Sequence, residues 1–148
     1  MTDRARIIVP GDPQPAERAR RGARGHWYTP AKTRAFEEAV GWAWRQAGSP
    51  TFGTAPLAAA MWFHLERPPS HRTKGGALTK AALSLLPPGD LDNYAKGVLD
   101  ALQQAGAFTN DKQVMCFSGV GKAWALQGHA RTEIDLWVAR PVELGTAA

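Results

Sequence analysis

A single cysteine, Cys116, leaves no partner for an intrachain disulfide and excludes a cysteine-based zinc centre. No apolar run approaches the roughly 20 residues that a membrane-crossing helix needs. Ile7, Ile8 and Val9 are the whole apolar run before Pro10, too little for the core of a signal peptide. These absences point to a reducing cytoplasm and away from a membrane. Acids are also scarce: 13 Asp and Glu stand against 18 Lys and Arg, for a formal charge of +5 and a pI near 9.8. That balance favours a polyanionic partner. Repeats and low-complexity segments are missing, and 44% hydrophobic with 21% charged residues lies far from the composition of disorder. A chain of 148 residues is long enough for one domain with a real core and too short for two.

The charges are unevenly placed. From Arg18 to Arg34 the chain carries Arg18, Arg20, Arg21, Arg24, Lys32 and Arg34 with no acid among them. In "GDLDNYAKGVLDALQQAGAFTND" the balance reverses, with Asp90, Asp92, Asp100 and Asp111 close together. Cations for phosphate and carboxylates for a metal are the combination that a nucleic-acid enzyme requires.

Arg4 to Val9 reads as a strand stopped by "PGDPQP", and "ERARRGARGHWY" as a mobile loop. Thr29 is placed to cap a helix over about Pro30–Ala47, in which Phe36, Val40 and Trp44 follow a helical period and Gly48 ends the run. "PLAAAMWFHLERP" alternates like a half-buried strand. The stretch from Pro69 to Gly89 supports no assignment. A second helix follows Asp92, with Tyr94, Ala95, Val98, Leu99 and Leu102 on its apolar face and Gly106 as its left-handed cap. Two more strands follow: "QVMCFSGVGKAWAL", broken or turned near Gly119 and Gly121, and "RTEIDLWVA". The order predicts an α+β fold, with two main helices on a small mixed sheet. Trp42, Trp44, Trp62, Trp124 and Trp137 fall on these elements and are expected in the core or at a dimer contact.

Asp90 and Asp92 are expected to project to one side if the chain is extended before the helix begins. Asp92 at a helix N-terminus is equally explained as a cap. Lys96 and Asp100 lie on the same stripe, where an ion pair accounts for Asp100. Lys96, one turn from the proposed ligands, is placed to neutralise a phosphate oxygen or orient a water. A helix of about 13 residues carries the chain roughly 20 Å, so Asp111 meets the first pair only if the next strand runs back. Three convergent carboxylates suit Mg²⁺. Glu133 and Asp135 share the two-residue spacing but fit exposed strand positions.

The central motif, "GDLDNYAKGVLDALQQAGAFTNDKQV", resembles the signature of RusA-like endodeoxyribonucleases, which resolve four-way (Holliday) DNA junctions. "GDPQPAERARR", "YTPAKTRAFEEAV", "FHLERPPSHRTKGG" and Lys122 are similar in order and spacing to the longer members. The resemblance implies a homodimeric, Mg²⁺-dependent nuclease of DNA recombination and repair that makes paired nicks in branched DNA. It assigns Asp90, Asp92 and Asp111 as metal ligands and Lys96 as the accompanying lysine. The chain departs from the family pattern at "LLPPG", where some members carry a basic run, and at Asn110, where an acid is usual.

Arg18, Arg20, Arg21, Arg24 and Lys32, beside Trp27 and Tyr28, are expected to follow a phosphate backbone while an aromatic ring packs at the junction centre. Arg67, His71, Arg72, Lys74 and Lys122 are the remaining expected DNA contacts. The competing expectation is a branched-DNA-binding protein without turnover.

Overall fold

A computed structural model describes residues 2–145. In β1 (Arg4–Pro10), Ile7 and Val9 turn inward while Arg4, Arg6 and Ile8 face out. β4 (Leu57–Leu65) buries Leu57, Ala59, Met61, Phe63 and Leu65, as its alternation predicts. In β6 (Arg131–Val138), Thr132, Ile134 and Leu136 are buried. With β5 (Val114–Trp124) these strands form one sheet in the order β1-β6-β4-β5, in which only β4 and β5 run parallel. The fold is α+β with a mixed sheet, as expected.

Helix α1 (Ala31–Gln46) lays Phe36, Val40 and Trp44 into the core, and α2 (Leu91–Gln104) adds Tyr94, Val98, Ala101 and Leu102. Each fully buried side chain of this size contributes about 1.5–3 kcal/mol relative to exposure. Both helices end alike: Gly48 and Gly106 take positive φ (92° and 81°), and the last carbonyls are met by Gly48 N–H and Ser49 N–H, or by Gly106 N–H and Ala107 N–H. None of the described helices is long and apolar enough to cross a membrane.

Four sequence expectations need correction. Thr29 does not cap α1; Pro30 holds the cap position, with no side-chain bond. Helix α2 starts at Leu91, so its N-cap is Asp90 and Asp92 lies inside the first turn, not on an extended segment. The basic loop contains a small hairpin, β2 (Arg20–Arg21) against β3 (Trp27–Tyr28). β5 is continuous through Gly119 and Gly121, with register shifts opposite Leu57–Ala58 and Ala59–Ala60. Gly121 is needed there because a Cβ would lie 2.2 Å from the Trp62 ring. Of the five tryptophans expected in the core or at a contact, Trp44 is fully buried, whereas Trp42 and Trp62 are exposed.

On the outer face Glu133 accepts from His64 Nε2 (3.4 Å) and Arg131 Nε (3.3 Å). Burial alone would raise its carboxyl, but the His64 and Arg131 hydrogen bonds and charges outweigh burial and hold it below the usual range. A depressed carboxyl contributes stability above its unfolded value, and that contribution is lost as pH falls through the folded value. Glu133→Gln should therefore melt lower than wild type near pH 7 and converge with it below about pH 4 in thermal scans across pH. A constant gap at every pH would refute this linkage.

Candidate active site

The start of α2 is exposed at two carboxylates. Asp90 holds the N-cap backbone geometry (φ −84°, ψ 131°), and its carbonyl accepts from Asn93 N–H and Tyr94 N–H. Its side chain makes no capping bond. Among the described residues, neither Asp90 nor Asp92 has a hydrogen-bond or ion-pair partner for its carboxylate. Both line an open cleft of about 660 Å³, whose opposite wall is the segment Pro15–Arg20. That segment is tied down: Ala16 N–H donates to Asn93 O at 3.0 Å, Glu17 N–H to Thr33 Oγ1 at 3.3 Å, and Gly97 leaves space beside Ala16. Arg18 and Arg20 thus face the two acids, with Arg20 also paired to Glu17 at 2.8 Å.

The residue before the cap is held from three sides. Gly89 has φ +85°, and a Cβ on it would lie 2.7 Å from the Tyr94 ring. Tyr94 is 2% exposed and donates its hydroxyl to Pro88 O at 3.0 Å. Burial raises its phenol above the usual value, so it stays a donor at neutral pH. The Lys122 ammonium donates to Gly89 O. Sequence reasoning grouped Lys122 with the DNA contacts and missed its place under the acid cleft. The available signal was a cation at a two-residue step between Val120 and Trp124 on a strand face that otherwise packs against the core.

Asp111 lies elsewhere. It begins a turn of 3₁₀ helix, Asp111–Gln113, fixed by a reciprocal cap: Asn110 Oδ1 accepts from Lys112 N–H and Gln113 Oε1 accepts from Asn110 N–H, each at 2.9 Å. Its own N–H donates to Gln103 Oε1 at 3.1 Å, at the C-terminal end of α2. About 20 Å of helix separates that end from Asp90. One chain therefore does not bring Asp111 to the Asp90–Asp92 pair, and among the described residues no three His, Cys, Asp or Glu are grouped to hold a metal. The strand after Asp111 does run back along α2, but it delivers Lys122 to Gly89. Lys96 is 63% exposed on its side chain and pairs with Asp100 at 3.4 Å, as the spacing predicts. Two unpartnered carboxylates on an open cleft still suit Mg²⁺, which keeps several waters and takes one or two carboxylates together with substrate phosphate.

The profile of the family described as Endodeoxyribonuclease RusA matches residues 10–137, which takes in both walls of the cleft and Lys122. The chain belongs to the RusA endodeoxyribonuclease family. It is accordingly a nuclease whose substrate class is DNA. No curated protein matches the chain significantly.

The remaining basic residues of this RusA-family chain fall into two groups. Arg18, Arg20, Arg21, Arg24 and Lys32 are exposed around the hairpin and the first turn of α1, beside Trp27 (70% exposed) and Tyr28. Lys74 is also exposed, in the turn that Gly76 N–H closes onto Thr73 O, and Arg72 donates to Gly76 O. Arg67 and His71 are instead half-buried against Trp124 and bonded to each other, and do not project as free loop cations.

Proposed function

We propose that the protein is a Mg²⁺-dependent, structure-selective endonuclease that resolves four-way DNA junctions by paired nicks, acting as a homodimer in recombination and repair. The observation that carries this reading is the pair of unpartnered carboxylates, Asp90 and Asp92, facing Arg18 and Arg20 across one open cleft. In this reading Asp90 and Asp92 hold the ion, and Arg18 and Arg20 take phosphates on either side of the bond to be cut. When bound, Mg²⁺ polarises the scissile phosphate and makes its own water a nucleophile at neutral pH. Lys122, beside Gly89, offsets charge that builds on the phosphate. Lys96 is available on the open face of α2 for the same purpose, provided that its pair with Asp100 opens.

Asp111 enters through the partner. Acids at opposite ends of one helix are brought side by side when two copies of that helix lie antiparallel across a two-fold axis. The third carboxylate of each site then comes from the other protomer, and the same axis presents two sites to two strands. Support comes from the position of Asp111 beyond the C-terminal end of α2 and from the exposed polar residues Asp92, Lys96 and Gln103 that run from one end of the helix to the other.

A synthetic four-way junction incubated with Mg²⁺ should be nicked by wild type and not detectably by Asp92→Asn. Equal cutting by the variant would remove the assigned site. Tight binding by both without nicking would favour a branched-DNA-binding protein.

A further inference from the structure

A second cleft, of about 560 Å³, is lined by Pro88, the residue before the Gly89 that lines the acid cleft. Most of its wall is apolar, from Leu65, Pro68, Leu85, Leu86, Pro88 and the Trp124 indole. The indole is clamped. Its Nε1–H donates to Leu85 O at 2.8 Å, the Arg67 guanidinium sits 4.9 Å from the ring centroid, and His71 meets it edge-on at 5.2 Å. Arg67 is itself held by Ala82 O at 3.1 Å. Leu86, by contrast, is 83% exposed at the rim, and Leu85 is half exposed. A preformed aromatic and guanidinium wall with loose apolar side chains at the mouth is the chemistry that takes up a flat ring.

We propose that this cleft is a nucleobase subsite, which receives one unstacked base of the strand whose phosphates Arg18 and Arg20 take beside Asp90 and Asp92. The inference rests on the nuclease reading and deepens it by naming what the enzyme grips beside the cut. Only Gly89 separates Pro88 from Asp90, two steps or about 7 Å of chain, so a phosphate beside the acids leaves its neighbouring nucleotide within reach. The carboxylates of Asp12 and Glu66 also line the cleft, which disfavours phosphate there and leaves acceptors for the amino edge of a base. Asp12 Oδ1 already accepts from Glu66 N–H, and Glu66 accepts from Gly128 N–H, so both carboxylates are fixed in place.

The test uses four-way junctions carrying one abasic nucleotide, moved position by position around the crossover and titrated with the full chain in EDTA. At one position next to the cut, loss of the base should weaken wild-type binding about 5-fold or more, as expected for one stacked base. Trp124→Leu should weaken binding of the intact junction by a similar factor and erase the abasic penalty at that position. Leu86→Gln, at an exposed site that leaves the core untouched, should at least halve the penalty. An abasic penalty that is the same in wild type and both variants at every position overturns the subsite; this is also the result expected if the cleft serves an apolar side chain of a protein partner. These titrations involve no metal and no cutting. A protein that shows the coupling but never nicks would overturn the nuclease reading alone, and one that nicks without coupling would overturn the subsite alone.

Discussion

Co-expressed Asp92→Asn and Asp111→Asn chains should recover about a quarter of wild-type nicking, although each variant alone is inactive. That fraction is what a site shared across the proposed two-fold axis yields. With random pairing about half the dimers are mixed, and each mixed dimer has one intact site of two, formed by Asp90 and Asp92 of one chain with Asp111 of the other. Each single variant removes one proposed metal ligand from every site and should lose at least about 100-fold, since even outer partners of a ligand are worth 10–100-fold. A site complete within one chain predicts no recovery, because every site in the mixture then lacks one carboxylate. Because one intact site cuts one strand, the mixed dimers should accumulate nicked junction and not resolved duplex. Quantifying nicked junction and resolved duplex on a native gel separates these outcomes. Recovery to wild-type levels would also refute the shared site, since half the sites in a mixed dimer are broken by construction.

Gly89→Ala is the second large effect. The position has φ +85°, and the new methyl would lie 2.7 Å from Tyr94 Cε2 and 2.9 Å from its hydroxyl oxygen. Tyr94 has no room to retreat: it is buried, packs on Phe63 at 5.1 Å between centroids, and is bonded to Pro88 O. A strained φ costs about 1–3 kcal/mol, and overpacking adds a similar amount. The melting temperature should fall by roughly 5–15 °C. Nicking at a temperature where the variant is folded should still drop at least about 10-fold, because the displaced backbone leads directly into Asp90 and carries the carbonyl that Lys122 holds. Wild-type stability together with wild-type nicking would show that the Gly89 geometry does not set the site.

Much of the architecture is readable from the chain because it is written in local periods. The strands at Arg4 and Leu57, both helices and the Gly48 and Gly106 stops follow from spacing and from glycine at positive φ. The errors have non-local causes. Gly119 and Gly121 resemble breaks by propensity, yet β5 continues past both: its pairing shifts register beside Gly119, and at Gly121 the Trp62 ring of the neighbouring strand occupies the space a Cβ would fill. Lys122 reaches Gly89 across 33 residues, and no local pattern encodes that. The placement of Asp111 turns on strand direction. Once β5 pairs parallel with β4 through α2, it must begin where the helix ends, and the acid before it is carried to that end. Helix length alone left both directions open.

The strand order has a consequence for synthesis. β6, the last strand of the sheet in the described chain, lies between β1 and β4, which pair with it and not with each other. On a ribosome, β1 waits unpaired until the residues around Arg131 to Val138 have emerged, and the sheet that supports Lys122 and the α2 cleft cannot close before then. A product that terminates early lacks the central strand, however complete its aspartate motif. Cutting competence is therefore tied to translation through Val138, and copies that stop short of β6 are left without the scaffold on which to cut.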